Sequence, residues 1–315
     1  MNKSTIKNFV VTGSNKGIGF SIIDKLFRDV VHNQSSLNNT NIILCSRSVD
    51  NGVNALNKLK ENNSKNENKL VNNTNLKNKN NLHIKDKNLS VIVEELDITN
   101  KSSISSFVKI IKETYDGKID CLVNNAGVAA KGDKFDTEVF NYTLGTNFYS
   151  TVEFTETMLK ENLITENGKI VFIGSSLGKL HIISNPEIKN RLKFDKNKNL
   201  DINELKKLAE EYKIAIETNT VEKGGWSKNI YGFSKILINK YAYYLGHHDD
   251  ILSKGIQVYS CCPGWVRTDM GGEKAHRSLE EGAENPTYLV NLDFKINKEL
   301  QGQFFYDKKV CNIDY

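Results

Sequence analysis

The chain has 315 residues, which at about 100–200 residues per domain allows one large domain or two small ones. Hydrophobic residues make up 38%, and 43 Lys and Arg against 38 Asp and Glu leave a formal net charge of +5. That excess is too mild to imply nucleic acid, and no basic stripe with interleaved aromatics accompanies it. The five cysteines (Cys45, Cys121, Cys261, Cys262 and Cys311) are odd in number and scattered, which argues against a disulfide framework and for a reducing compartment. No apolar run approaches the roughly 18 residues of a membrane span. The first strand candidate lies too near Met1 for a transit peptide, and Asn312 to Tyr315 form no peroxisomal or prenylation signal. The expected location is the cytoplasm.

In chain order, short apolar runs alternate with helical patterns. The runs are Phe9-Val10-Val11, Ile42-Ile43-Leu44, Val91-Ile92-Val93, Cys121-Leu122-Val123, Ile170 to Ile173 and Ile256 to Tyr259. Between them, segments such as Phe20 to Val31 and Ser102 to Tyr115 carry apolar residues at helical spacing. Strand then helix, repeated, predicts a parallel sheet with helices on both faces, and runs that are apolar throughout suit strands buried on both sides. The reading is one α/β domain over 1–315. Residues 61–90 interrupt the rhythm with eleven Asn, six Lys and no Phe, Trp or Tyr. Such a segment buries too little apolar surface to offset its ordering entropy, so a disordered insertion is expected there, with a shorter one over Asn33 to Asn41. Residues 185–230 form a second, partly helical insertion. Asp201-Ile202-Asn203-Glu204 has helix-capping spacing, and Leu205, Leu208, Ala209, Tyr212 and Ile216 make one apolar face behind it.

Thr12-Gly13-Ser14-Asn15-Lys16-Gly17-Ile18-Gly19 follows the first strand and opens a helix. Gly13 permits a tight turn, Gly17 lets backbone approach a pyrophosphate, and Gly19 allows close helix–strand contact. The second strand ends Leu44-Cys45-Ser46-Arg47, without the acid that NAD-specific sites place there. Arg47 and Lys16 could instead flank a 2′-phosphate, which predicts NADP(H) over NAD.

Tyr231 and Lys235 stand four apart and share a helical face. Reduction of a carbonyl by hydride leaves an alkoxide that must be protonated. A free phenol, with a pKa near 10, is a weak acid for that task, and a neighbouring lysine cation and the positive nicotinamide ring are expected to lower it.

These segments together resemble the short-chain dehydrogenase/reductase family. Thr12 to Gly19 is similar to its cofactor loop, Leu96-Asp97-Ile98 to its adenine segment and Asn124-Asn125-Ala126-Gly127 to its NNAG motif. Thr146-Asn147-Phe148 carries its relay asparagine, Ile173 to Gly178 its serine segment, and Pro263 to Thr268 its P-G motif. Cys261 to Met270, Glu280 to Pro286 and the insertion before Tyr231 resemble the monomeric NADPH-dependent carbonyl reductase branch in particular. The chain departs from that branch at Ala130, small where the branch carries a bulky aromatic, and over residues 131–142.

The resemblance implies a Rossmann-type doubly wound sheet of about seven strands in order 3-2-1-4-5-6-7. It implies Tyr231 as proton donor, Lys235 tuning it and binding the nicotinamide ribose, Ser175 on the carbonyl oxygen, and Asn147 in a proton relay. Gly13, Asn15, Lys16, Gly17, Ile18, Gly19, Arg47, Asp97 and Asn125 would hold the coenzyme with Tyr231 and Lys235, and Val266 and Thr268 would meet its carboxamide. Trp226, Trp265 and Met270 are candidates for an apolar substrate pocket, with core packing the alternative for Trp265. No metal is expected, because Cys261-Cys262 lacks a second pair at zinc spacing. The expected partner is a small ketone, aldehyde or quinone, and the insertion implies a monomer. An alcohol dehydrogenase for a specific metabolite uses the same residues, and a non-catalytic NADPH sensor is the alternative from another class.

Overall fold

A computed structural model describes residues 6–31, 39–63, 83–86, 89–193, 201–293, 295 and 297–314. Among the described residues, nine strands form one sheet: β1 (Lys7–Val11), β2 (Thr40–Ser46), β3 (His83–Asp86), β4 (Leu89–Glu95), β5 (Ile119–Asn124), β6 (Ile164–Ile173), β7 (Gln257–Cys262), β8 (Phe304–Tyr306) and β9 (Lys309–Val310). Their spatial order is β3-β4-β2-β1-β5-β6-β7-β8-β9. The seven from β4 to β8 are parallel and follow the expected 3-2-1-4-5-6-7 order, while β3 and β9 add antiparallel edges. The Rossmann-type sheet is therefore as expected, with two strands more than the about seven that the family resemblance implied.

The helices are α1 (Gly17–Val31), α2 (Val49–Asn63), α3 (Lys101–Thr114), α4 (Thr137–Leu144), α5 (Thr151–Lys160), α6 (Pro186–Leu192), α7 (Ile202–Glu217), α8 (Ile230–Gly246), α9 (Asp249–Ser253) and α10 (Leu279–Asn291). Alternate side chains of each strand enter opposite cores. Val10, Ile43, Leu122, Phe172 and Val258 pack with residues of α3, α4, α5, α7 and α8. Phe9, Val11, Leu44, Val123, Ile173 and Cys261 pack with α1, α2 and α10. Burial on both faces is why these strands read as unbroken apolar runs.

Two expectations about the insertions need correcting. Residues 61–63 finish α2, and 83–86 and 89–90 lie in β3 and β4, so the expected disorder does not extend over the whole of 61–90; residues 64–82 and 87–88 lie outside the described residues. The pairing of His83–Asp86 against β4 supplies backbone hydrogen bonds that side-chain composition does not reveal. Likewise Asn41 belongs to β2, and 32–38 lie outside the described residues. In the second insertion, of which 194–200 lie outside the described residues, the Asp201 carboxylate accepts from the Glu204 N–H at 2.8 Å and opens α7. The apolar face of α7 is buried, with the Tyr212 ring 4.4 Å from Phe233 of α8 and 6.0 Å from Phe140 of α4. Among the described residues, no helix is long and apolar enough to cross a membrane.

Candidate active site

The glycine turn sits at the carboxyl edge of the sheet, between β1 and α1. Gly13 and Gly17 have φ of +60° and +59°, the left-handed region that glycine occupies without strain. A Cβ on Gly19 would fall 2.4 Å from Asn125 Nδ2 and 2.8 Å from the Gly13 oxygen, so α1 approaches β5 as closely as it does only because no side chain intervenes. Asn125 is the strut of this turn: its amide donates to the Thr12 and Gly13 carbonyls at 2.8 and 3.1 Å, and Thr12 Oγ1 accepts from the Asn125 and Ala126 N–H groups at 3.0 Å each. Backbone this tight at a helix N-terminus fits a pyrophosphate, because a bare glycine cradle leaves N–H groups facing outward.

Around the turn, Arg47 is exposed just past β2. Asp97 is half-buried beyond β4, where its carboxylate accepts from the Thr99 N–H and hydroxyl at 2.9 and 2.7 Å. Asn15 and Ile18, within the glycine turn, are partly buried. Lys16 reaches Asp269 at 2.6 Å, on the loop after β7. That loop overlies the turn: a Cβ on Gly17 would be 3.7 Å from Thr268 Cγ2. The Val266 side chain is buried against Gly282 of α10, so this residue offers the cleft only its backbone.

Helix α8 delivers the reactive pair. Asn229 caps it, accepting from the Gly232 N–H at 2.8 Å, and fixes the first turn on which Tyr231 stands. Lys235 follows one turn later, its Nζ 5.6 Å from the Tyr231 ring centre and donating to the Ile173 carbonyl at 2.7 Å. Ser175, two residues past β6, adjoins the Tyr231 side chain, and its Oγ accepts from the Leu177 N–H at 3.1 Å. Asn147 lies in a π-helical turn, Gly145–Ser150, between α4 and α5. Its side chain accepts from the Val128 N–H at 2.7 Å and donates to the Val128 carbonyl at 2.8 Å and to Ser234 Oγ at 3.1 Å. Gly127 borders both Asn147 and Lys235; a Cβ there would lie 3.2 Å from Asn147 Oδ1 and 3.7 Å from Lys235 Nζ. The four expected catalytic residues thus converge.

In the protein alone, burial dominates the electrostatics of the pair. Burial lowers the Lys235 ammonium to about 8, an effect partly opposed by Cys262 and Cys261. Burial also raises the Tyr231 phenol, with a further push from Cys262, while the adjoining Ser175 side chain pulls the other way. The phenol is therefore held protonated rather than made more acidic, because stripping water from a phenolate costs more than the adjoining serine returns.

Of the expected pocket residues, Trp226 packs into an aromatic cluster, its ring 5.4 Å from Tyr212 and 5.6 Å from Phe233. Trp265 and Met270 are 51% and 48% exposed, so Trp265 is not a core residue; its indole N–H donates to the Gly271 carbonyl at 2.9 Å. Asn239 escaped the sequence reading. It is fully buried on α8, one turn beyond Lys235, and its amide donates to the Ser175 and Gly178 carbonyls at 3.3 Å each. The signal was a lone asparagine ending the apolar run Ile236-Leu237-Ile238.

A glycine-cradled parallel sheet with a serine, tyrosine and lysine meeting at its carboxyl edge defines a short-chain dehydrogenase, and the chain belongs to that family. A family model described as short chain dehydrogenase matches residues 65–187. The chain is 32% identical over 307 residues to carbonyl reductase [NADPH] 1 of Mus musculus, covering 96% of each chain. It is 31% identical over 316 residues to the enzyme of the same name from Macaca fascicularis, covering 98% of this chain and 99% of that one. Among solved structures, salutaridine reductase from Papaver somniferum superposes with a TM-score of 0.72 at 26% identity, covering 96% of this chain and 99% of that one.

Proposed function

We propose that this protein is an NADPH-dependent carbonyl reductase acting on a small ketone, aldehyde or quinone, built as one domain over residues 1–315. The observation that carries the reading is the convergence at one corner of Tyr231 and Lys235 on one face of α8, Lys235 Nζ lying 5.6 Å from the Tyr231 ring centre, with Asn147 across Gly127. It is supported by the names of the relatives that span nearly the whole chain.

Bound coenzyme supplies the hydride to the carbonyl carbon. Ser175 donates a hydrogen bond to the carbonyl oxygen and aligns it with the Tyr231 hydroxyl. Tyr231, kept protonated by burial, then delivers its proton as charge develops on that oxygen. Lys235, as a cation, holds the nicotinamide ribose and stabilises the resulting phenolate. Asn147 anchors the Val128 backbone beside this corner and, through a water on Lys235, completes the path by which the proton is replaced. Gly13 to Gly19 would cradle the pyrophosphate, Asp97 would meet the adenine, Thr268 and the Val266 backbone would meet the carboxamide, and Arg47 with Lys16 would take the 2′-phosphate; Trp265 and Met270 would form the substrate mouth. Lys16 must exchange Asp269 for that phosphate.

The test is loss of 340 nm absorbance from NADPH with a panel of quinones and aromatic aldehydes, repeated with NADH. Turnover with NADPH at higher catalytic efficiency than with NADH is expected. Tight NADPH binding without consumption would favour a sensor, and equal efficiency with NADH would remove the 2′-phosphate assignment. A monomer in the cytoplasm is the proposed state: α7 covers α4 and α8, and Arg191 ties α6 to α7 through Glu204 and Glu211, each at 2.6 Å. A tetramer in sedimentation would contradict it.

A further inference from the structure

The loop between β7 and α10 overlies the glycine turn yet contains no helix or strand of its own among the described residues. Segments of this kind open easily unless something outside them holds them down. The holding group is Arg277, at the far end of the loop. Its backbone N–H donates to the Trp265 carbonyl at 3.0 Å, and its own carbonyl accepts from the Arg267 N–H at 2.9 Å, so the two ends of the loop form one bridge, Val266 to Arg277. Its side chain lies across the Pro263-Gly264 turn. Gly264 has φ +84°, and a Cβ there would fall 2.5 Å from Arg277 Cδ.

The guanidinium then reaches the carboxyl-terminal hairpin. Nη1 lies 2.8 Å from Asp307 Oδ1 and Nη2 donates to Asp307 Oδ2 at 3.0 Å, a two-pronged pair. Cζ sits 5.2 Å from the Tyr306 ring centre, Nη2 is 3.4 Å from the Tyr306 hydroxyl, and Nη1 is 3.5 Å from the Pro263 carbonyl. A planar, forked cation can serve the carboxylate and the aromatic face at once; a lysine ammonium supplies only a point charge.

We propose that Arg277 is a positioning residue for the coenzyme. It pins the Pro263-Gly264 turn to the β8–β9 hairpin and thereby holds Val266 and Thr268 over the glycine turn. This rests on the reading that NADPH binds beneath that loop, but the clamp itself is measurable without coenzyme.

The chain has two tryptophans, and in a Trp226→Phe background the remaining one, Trp265, reports directly on the loop. Trp265 emission and NADPH affinity by fluorescence titration are measured for Arg277→Ala, Arg277→Lys and Asp307→Asn. Arg277→Ala is expected to shift Trp265 emission to the red and to weaken NADPH about tenfold, equal to about 1.4 kcal/mol. Arg277→Lys should recover part of the affinity, and Asp307→Asn should move both readouts in the same direction by less.

A residue that only stabilised the fold would lower the melting temperature and leave emission and affinity of the folded fraction unchanged. That result in Arg277→Ala overturns the proposal. Should Arg277→Ala fail to fold, an unchanged emission and affinity in Asp307→Asn overturns it instead. If the parent protein itself bound no NADPH, the coenzyme reading would fail, while a red shift in the variants would still establish the clamp.

Discussion

Replacing Asn239 by leucine keeps the branched shape of the side chain, makes it bulkier and removes the amide that ties α8 to the serine segment. Two carbonyls, those of Ser175 and Gly178, would lose their 3.3 Å donor inside the protein. A buried acceptor left unpaired costs about 1–3 kcal/mol. The Ser175 carbonyl keeps the Gly178 N–H at 2.9 Å, so the Gly178 carbonyl is the one left unpaired, and a bond of this length belongs at the weak end of that range, about 1 kcal/mol of lost stability. Little room exists for the segment to relax toward the helix, because a Cβ on Gly178 would already lie 2.6 Å from the Lys235 carbonyl carbon and one on Gly174 2.1 Å from Asn239 Oδ1. The leucine methyls must push against that glycine-lined surface, and the Ser175 hydroxyl moves with its backbone. Displacement of a positioned group by a fraction of an ångström is expected to lower kcat about tenfold or more. Urea unfolding gives the stability change, and steady-state NADPH oxidation gives kcat for the folded enzyme. A midpoint equivalent to within about 0.5 kcal/mol of the parent, together with kcat within about twofold, would refute the assignment of Asn239 as the strut of the serine segment.

Tyr231→Phe is expected to lower kcat by about 10²-fold or more while NADPH binding is largely kept, checked by turnover alongside a fluorescence titration. Gly19→Ala places a methyl 2.4 Å from Asn125 Nδ2 and should destabilise the protein by about 1–3 kcal/mol and weaken NADPH, read by urea unfolding and titration. The Lys235 ammonium, lowered to about 8 by burial, is protonated below that pH and neutral above it, so kcat/KM for carbonyl reduction should fall as pH rises through about 8. A profile flat to about pH 10 would show that the Lys235 charge is not required.

Much of the molecule was legible from residue order. Apolar runs spaced by helical patterns specify strands and helices locally, and parallel strands buried on both faces leave no polar alternation to confuse the reading. That pattern, with the family's motifs in order, carried the seven-strand order and placed the glycine turn, Tyr231 and Lys235 on their elements. The apolar face of α7 was equally readable, since Leu205, Leu208, Ala209, Tyr212 and Ile216 recur at helical spacing. β3 was not: backbone pairing across a sheet edge depends on a partner strand, and the Asn/Lys composition around it does not encode that partner.

What only the tertiary structure decided is how distant residues meet. Whether Tyr231 becomes more or less acidic depends on how much water the surrounding elements exclude, a quantity absent from the four-residue spacing to Lys235. Trp226 and Trp265 read alike as pocket residues, yet one packs against Tyr212 and edge-on to Phe233 and the other stands half in solvent. Asn125, expected at the coenzyme, also braces the turn that would hold it. Arg277 and Asp307 are thirty residues apart and belong to no shared motif. Local chemistry is written in neighbouring residues because helix and strand periodicity act over a few positions. Hydration, stacking and long-range ion pairs arise only after the sheet has brought its edges and loops together.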